Sequence, residues 1–121
     1  MIPQYWQEFV STNDIVGKAF ELDEKSDLST MGADLSIMTE AQCIDEATEC
    51  YPGIIAIKTG FIPVAMCDTG SGDYYYINKN DGKSGSLYRI IHDAICDDEL
   101  ESDGVEKVLE NYELILSHQC T

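Results

Sequence analysis

The sequence predicts an α+β fold: one domain, residues 1–121, in which a mostly antiparallel sheet of about four to six strands carries helices, including an N-terminal and a C-terminal one. Three observations predict this class. Apolar and aromatic runs separated by glycine-containing turns fill the centre of the chain. Apolar residues at helical spacing flank that centre on both sides. The two kinds of segment do not alternate in a regular βαβ rhythm, which favours antiparallel pairing.

The central stretch reads as three strands joined by two turns. Residues 61–67 are an apolar run typical of a buried strand, residues 73–78 are aromatic and β-branched, and residues 86–92 close the meander. The sequence Asp-Thr-Gly-Ser-Gly at residues 68–72 gives the permissive backbone that a chain reversal needs. The sequence Asn-Asp-Gly at residues 80–82 is a hairpin signal, because such residues adopt positive φ at little cost. A three-stranded meander needs a cover over its apolar face, which the flanking helices can provide.

The chain is predicted to begin with a helix and an acidic loop. Pro3 is well placed to open the helix, and the residues after it put apolar bulk on one side. These residues are Tyr5, Trp6, Phe9 and Val10. Residues 15–20 fit either a continued helix or a short edge segment of the sheet. Residues 21–33 are acidic and rich in small side chains, and they read as a surface loop.

A strand, a helix and another strand are predicted between this loop and the centre. Residues 35–38 alternate between apolar and polar side chains, as a short strand does. Thr39 and Gln42 then form a capping-box pattern that opens a helix. Pro-Gly at residues 52–53 ends the helix, and residues 54–57 form a fourth strand candidate.

The C-terminal part is predicted to be an acidic loop followed by a helix. Residues 97–103 carry several acidic side chains and no basic one, so they read as a solvated loop. Asp103 and Glu106 repeat the capping-box pattern. Counted from Val105, apolar residues stand at i, i+3, i+4, i+7, i+10 and i+11. This spacing predicts a helix over residues 105–116, lying across the sheet.

The charge narrows the possible functions. The chain has 7 basic and 23 acidic residues, a net charge of −16, and the acid is concentrated in residues 1–57 and 90–121. Attraction to phosphate needs the opposite sign, so no nucleic-acid partner is expected. A basic protein partner would be attracted and steered. The alternative is that the acid only keeps a small protein soluble.

The cysteines and the N-terminus favour a reduced, cytoplasmic protein. The chain has five cysteines and no Cys-x-x-Cys pair. Its first residues lack the basic and apolar regions of a signal peptide, and no run approaches the roughly 20 apolar residues of a membrane span. We therefore expect reduced thiols, a cytoplasmic location and no membrane partner. The cysteine spacing and the presence of two histidines, His92 and His118, predict no metal site and no cofactor.

One short stretch imitates a catalytic motif. Residues 67–71, Cys-Asp-Thr-Gly-Ser, resemble the active-site loop of aspartic proteases, in which two aspartates share a proton and activate water. A single copy could act only if two chains paired their Asp68 residues across a dimer. That family is nearly all β, whereas this sequence predicts helices, and an ordinary turn explains the same residues. A dimeric protease that uses Asp68, Thr69 and Gly70 is therefore a distant alternative.

The other catalytic candidates are weaker still. His92 and Asp93 could form an acid–base pair, but neighbours in a strand point to opposite faces. Residues 78–82 lack the ligand spacing of a calcium loop. An acidic environment raises the pKa of a thiol and so disfavours Cys67 or Cys96 as a nucleophile. No catalytic residue is predicted, and we expect a protein that is not an enzyme.

The order of these segments resembles the SUKH superfamily, which contains the yeast cell-wall assembly regulator and many bacterial toxin-immunity proteins. The opening helix with Trp6 and Phe9 is similar to that of the family. The segments that carry the resemblance are residues 34–39, 51–53, 61–65, 70–78 with their Gly-Ser-Gly-Asp start, and 85–93 with Gly-x-Leu-Tyr-x-x-x-His-Asp. The chain departs from the family in lacking the usual Leu-Pro and Asn-Gly-Gly run before the first strand.

The resemblance implies an α+β fold and a role in binding and neutralising a toxin from a competing cell, often a nuclease. The yeast-like branch implies a regulatory protein-interaction scaffold instead. The charge suits the first role independently, because an acidic inhibitor can occupy the cationic groove of a nuclease as a phosphate mimic. The partner surface is expected to draw on acid near the glycine turn and the following acidic loop: Asp68, Asp73, Asp97, Asp98, Glu99 and Glu101.

Overall fold

The meander at the centre of the chain is the middle of a larger antiparallel sheet. The structure is a computed structural model that describes residues 1–70 and 72–120. Within these residues, six strands pair in the order β1-β2-β3-β4-β5-β8. Their bounds are β1 Ala19–Leu22, β2 Ala33–Ile37, β3 Phe61–Cys67, β4 Tyr75–Asn78, β5 Leu87–Ile90 and β8 Val105–Leu109. A separate small hairpin is formed by β6 Ile95–Cys96 and β7 Glu99–Leu100. The predicted α+β class with a mostly antiparallel sheet is confirmed.

The helices that were predicted before the centre are present. Helix α1 spans Gln4–Thr12 directly after Pro3, and helix α2 spans Glu40–Glu49. Thr39 caps α2 as the pattern predicts: its side chain accepts a hydrogen bond from the Gln42 amide at 3.1 Å, and the Gln42 side chain accepts one from the Thr39 amide at 2.8 Å. Two orphan donors at the helix start are satisfied in this way, which fixes where α2 begins.

The sheet separates two apolar clusters, because successive side chains of a strand point to opposite faces. The main core contains Leu35, Tyr75 and Leu87 from the sheet, and it is covered by Trp6 of α1 and by Tyr112. The edge of the Tyr112 ring meets the Trp6 ring with centroids 5.1 Å apart. On the opposite face a smaller cluster packs below residues 53–56 and the small hairpin. Its buried members are Ala56, Tyr76, Ile90 and Ala94.

The fourth strand that we predicted at residues 54–57 is wrong. Helix α3 spans Gly53–Ala56 and continues as a 3₁₀ turn at Ile57–Thr59. A short apolar run fits a buried strand and a buried helical turn equally well, so periodicity cannot separate them. Close packing decides between them here. A Cβ at Gly53 would lie 2.1 Å from the backbone oxygen of Glu46 in α2, so glycine lets the two helices approach.

The α-helix that we predicted over residues 105–116 is also wrong. The segment begins as strand β8 and ends in a 3₁₀ helix, Tyr112–His118, which takes the place of the predicted C-terminal helix. The register of β5 with β8 shifts between Leu87 and Tyr88, and this bulge places both Val108 and Leu109 in the main core. Two adjacent buried residues after Val105 imitate the i, i+3, i+4 spacing of a helix, which explains the error.

The remaining segments are now placed. Residues 15–20 lead into β1, the edge strand, so the edge alternative is the correct one. The backbone N–H of Cys120 donates to the Ala19 carbonyl oxygen at 2.9 Å, so residues 119–120 lie along β1. At the other edge, the N–H of Leu28 donates to the Val108 carbonyl at 2.9 Å. The connection between β1 and β2 thus reaches across to β8, and the sheet is curled.

The two predicted turns of the meander form, with differences in detail. Gly70 and Gly72 both have a φ of +81°, where glycine is favoured, and Ser71 between them lies outside the described residues. Strands β4 and β5 form the predicted hairpin. Their connection is longer than a two-residue turn, since a 3₁₀ turn at Lys79–Asp81 precedes Gly82, whose φ is +74°.

Arg89, on β5, links the β1–β2 connection to the edge strand β8. Its Nη1 donates to Asp27 Oδ2 at 3.3 Å and to the Gly32 carbonyl at 3.1 Å, and its Nε donates to Glu106 Oε1 at 3.1 Å. Ser29 Oγ accepts from Nη2 and donates to Asp27 Oδ1. We call these five residues the Arg89 cluster. The Asp27 side chain is fully buried and that of Arg89 is 5% exposed. Buried charges of this kind are tolerated because they are paired and hydrogen-bonded.

We expect Arg89→Met to lower the free energy of unfolding by about 3–5 kcal/mol, because Asp27 would be left buried without its counter-charge. Urea denaturation followed by circular dichroism measures this change. Lys107→Met is the matched control, since it removes the exposed pair with Glu110 at 3.8 Å and should cost less than about 1 kcal/mol. Equal losses in the two variants would contradict a stabilising role for the cluster.

Candidate functional site

An open cleft of about 660 Å³ lies between the β1–β2 connection and the turn after β3. Strand β1 and the connection supply one wall, and the segment around Cys67 and Thr69 supplies the other. Acidic side chains dominate its polar lining. They are Glu21, Asp23, Glu24, Asp34 and Asp73. We call this the acidic cleft.

The floor of the acidic cleft is apolar. Leu22, Ala33 and Tyr75 point inward from the sheet and belong to the main core. Met31 also lines the cleft, and it is 65% exposed. An exposed, flexible apolar side chain surrounded by acid is typical of a protein contact surface, in which apolar area supplies affinity and a charged rim supplies selectivity.

Arg89, at the base of the cleft, does not neutralise the negative charge of the lining carboxylates. Arg89 lines the cleft, but its guanidinium is already paired with Asp27 and Glu106. The Arg89 cluster as a whole therefore carries no net positive charge toward the opening. Lys25, which also lines the cleft, is exposed to solvent, where its interactions are weak. The potential of the cleft is set by its carboxylates.

Local hydrogen bonds hold the acidic wall in place. Asp23 Oδ1 accepts from the Ser26 amide at 2.8 Å, which turns the chain directly after β1. Hydrogen bonding to the Ser26 side chain, and then to the Ser26 amide, lowers the pKa of the Asp23 carboxyl, so Asp23 stays ionised to lower pH than an ordinary aspartate. After this turn, Asp27 anchors the same segment through its ion pair with Arg89. The wall is a braced segment rather than the plain surface loop predicted for residues 21–33.

The structure divides the six site residues that we predicted from sequence. Asp73 lines the acidic cleft. Asp68 is exposed beside it, and its Oδ2 accepts a hydrogen bond from Ser36 Oγ at 2.6 Å. Ser36 lies between Leu35 and Ile37, which point into the main core, so Asp68 turns toward the other face of the sheet.

The other four predicted residues lie together on the small hairpin or just after it. Asp97 and Asp98 form its tip, with φ of +53° and +62°, a conformation that suits a two-residue turn and that aspartate tolerates. Glu99 and Glu101 are exposed behind the tip. Leu100 between them packs on the smaller apolar cluster, so this acidic hairpin stands apart from the cleft. The loop predicted at residues 97–103 is thus partly ordered as strand.

Sequence reasoning missed the cleft residues that precede the meander. Glu21, Asp23 and Glu24 were predicted to lie in a surface loop, and Asp34 directly before a strand. The available signal was the density of acid in residues 21–34. Their convergence on Asp73 depends on the curl of the sheet, which local patterns do not encode.

Two groups with catalytic potential, His92 and Cys43, are paired or buried. His92 Nδ1 lies 2.8 Å from Asp73 Oδ1, so its acidic partner comes from the turn before β4 rather than from Asp93. Burial raises the pKa of the Cys43 thiol to about 12, which leaves it unreactive at neutral pH. Among residues 1–70 and 72–120, no group of three or more His, Cys, Asp or Glu side chains could hold a metal ion.

The comparisons with known proteins add no relative. No family model, no curated protein and no solved structure matches this chain. The resemblance to the SUKH superfamily stays a prediction. In the part of the chain that the structure describes, no helix has the length and apolar character to cross a membrane.

We expect Cys67 to report the potential of the acidic cleft. In a variant with Cys50, Cys96 and Cys120 replaced by serine, Cys67 should react faster with a cationic than with an anionic methanethiosulfonate reagent, by about tenfold at low salt. The rate ratio should fall toward one at about 1 M salt, where the Debye length is about 3 Å. Mass spectrometry of quenched samples measures both rates. A ratio of one at low salt would contradict a negative potential in the cleft.

Proposed function

We propose that this protein is a non-enzymatic, cytoplasmic immunity protein that binds and neutralises a basic toxin domain of a bacterial toxin system, expected to be a nuclease. The observation that supports this function best is the acidic cleft, in which several carboxylates surround an apolar floor. The net charge of −16 adds a long-range attraction for a cationic partner. The order of sequence segments, which resembles the SUKH immunity proteins, is the second support.

The carboxylates of the cleft can take the place of substrate phosphates in the groove of a nuclease. A nuclease binds the phosphates of its substrate through lysine and arginine side chains. Carboxylates at Glu21, Asp23 and Glu24 can accept hydrogen bonds from the same cations, with arginine able to bind in bidentate fashion. Met31, which is largely exposed, can add buried contact area to the interface. Occupation of the groove would exclude the nucleic acid and so inactivate the toxin.

The acidic hairpin offers a second contact. Asp97, Asp98 and Glu99 project from a short turn that is fixed to the domain by Leu100. A charged tip on a small hairpin suits insertion beside a basic groove. Its exposure favours a contribution to the association rate more than to the lifetime of the complex.

The chemistry of the cleft favours binding over catalysis. Its polar side chains are mainly carboxylates, and its buried cation is held in the Arg89 cluster. Asp68, the residue of the protease-like motif, is exposed and hydrogen-bonded to Ser36. Such a set suits charge complementarity with a protein.

Capture followed by an inhibition assay tests the proposal. The immobilised protein is mixed with extracts of the source strain and of competing strains, and retained proteins are identified by mass spectrometry. The captured domain is then assayed alone and with the protein added. A basic domain whose nuclease activity, or toxicity in cells, is abolished at equimolar protein supports immunity. Capture of signalling or envelope-synthesis proteins without inhibition would favour the regulatory scaffold instead.

We expect the triple variant Glu21→Gln, Asp23→Asn, Glu24→Gln to slow association with the captured toxin about tenfold at low salt and to reduce the salt dependence of that rate. Stopped-flow fluorescence across a salt series measures both effects. The matched control is Glu8→Gln, Asp45→Asn, Glu49→Gln, which removes equal charge from exposed positions on α1 and α2. Equal slowing in the two variants would mean that total charge matters and the cleft does not.

Charge reversal at the hairpin tests the second contact. The variant Asp97→Lys, Asp98→Lys, Glu99→Lys should slow association and flatten its salt dependence, because it repels a basic partner at the tip. The same stopped-flow series gives the measurement. An association rate within about twofold of the unmodified protein would remove the hairpin from the binding surface.

A further inference from the structure

We propose that His92 is a pH-dependent clamp on residues 72–74, the Asp73 turn: the protonated imidazole holds this turn against the end of β5 and neutralises one carboxylate of the acidic cleft. This inference concerns the regulation of the cleft and, in its second part, rests on the proposed function. Release of the clamp would leave the cleft more negatively charged, which favours binding of a basic partner.

The contact geometry at Asp73 supports a clamp. A single carboxylate oxygen, Oδ1, accepts from the His92 backbone N–H at 2.9 Å and lies 2.8 Å from His92 Nδ1. Asp73 thus contacts both the backbone and the ring of the same residue. Gly72, with a φ of +81°, lies beside the imidazole: a Cβ there would be in ordinary contact with the ring, at 4.0 Å. The arrangement joins the start of β4 to the end of β5 by means other than strand pairing.

The two side chains of the His92–Asp73 pair differ in solvent exposure. The side chain of His92 is 59% exposed, so its ring exchanges protons with solvent directly. The side chain of Asp73 is 18% exposed and also lines the acidic cleft. A change of charge on the imidazole therefore acts on a mostly buried carboxylate that belongs to the candidate binding surface.

The charged groups that face His92 are of one sign. Asp73 acts from the turn before β4, and Asp93 acts from the next position in the chain. Arg89, which shares the cleft with Asp73, is already paired with Asp27 and Glu106. The hydrogen bond to Asp73 and the charges of Asp73 and Asp93 raise the pKa of His92 above its ordinary value.

The sign of the effect follows from this direction. Because the pKa of His92 is higher in the folded than in the unfolded protein, the clamp contributes fully below the unfolded pKa. It weakens as pH rises through the folded pKa. A neutral imidazole can still donate one hydrogen bond, but without the charge that roughly doubles its strength. At higher pH the turn is held less tightly, and the imidazole no longer offsets the charge of Asp73.

Amide hydrogen exchange tests the clamp without any partner. After correction for the intrinsic rate, protection of the residue-92 amide should be on the order of fivefold greater at about pH 5.5 than at about pH 8.5 in the unmodified protein. In His92→Gln it should differ less than about twofold between the two pH values. His118→Gln, the matched control, should behave like the unmodified protein. Identical pH profiles in all three proteins would overturn the clamp.

A cationic peptide then tests its effect on the cleft. The peptide is tested in the His118→Gln background, which removes the second histidine, whose charge acts on Asp23 of the cleft. A hexa-arginine peptide, titrated calorimetrically at low salt, should bind His118→Gln about threefold more weakly at about pH 5.5 than at about pH 8.5. The affinity for the double variant His92→Gln, His118→Gln should change less than about 1.5-fold over the same range. Equal pH dependence in both proteins would overturn the link between clamp and cleft. Absence of peptide binding at every pH would count against the proposed function alone, while the exchange data would still support the clamp.

Discussion

The ion pairs of Arg89 are the constraint on which the rest of this structure depends. The buried guanidinium of Arg89 is stable only if its N–H donors are hydrogen-bonded. Its acceptors are Asp27, Glu106, Ser29 and the Gly32 carbonyl. The partners come from the β1–β2 connection and from β8, which are far apart in the sheet order. Pairing with both therefore requires the sheet to curl. The same curl places the acidic wall opposite the Asp73 turn, so the Arg89 ion pairs shape both the fold and the candidate site.

This arrangement separates structural charge from charge available to a partner. Asp27 and Glu106 are committed to Arg89, whereas Glu21, Asp23 and Glu24 stand exposed at the opening of the cleft. The first pair sets the shape of the wall, and the second group sets its potential. Glu21 and Glu24 can therefore contribute to the potential of the cleft without loosening the scaffold, whereas Asp23 also holds the turn after β1 through its hydrogen bond with Ser26. Their mutual repulsion is limited by solvent and salt at the surface.

The sequence predicted the parts of the fold that depend on local chemistry. The α+β class, helix α1 after Pro3, the Thr39 cap and the central meander follow from turn residues, caps and apolar periods. Residues 54–57 and 105–116 were misassigned because a short apolar run, or a strand with a bulge, presents the spacing of the other structure. Of the cleft, Asp73 was predicted. Its neighbours along the β1–β2 connection were not, because only the curled sheet and the pairing of Asp27 with Arg89 bring them there.

The hydrogen bonds along the two edge strands have a consequence for how a partner can dock. The N–H of Cys120 occupies the Ala19 carbonyl on β1, and the N–H of Leu28 occupies the Val108 carbonyl on β8. An incoming chain that sought to extend the sheet by β-augmentation would have to displace these segments first. Backbone recognition of that kind reads little side-chain identity. At these two positions recognition therefore falls to side chains, and exchanging a few surface residues can change the choice of partner and leave the sheet intact.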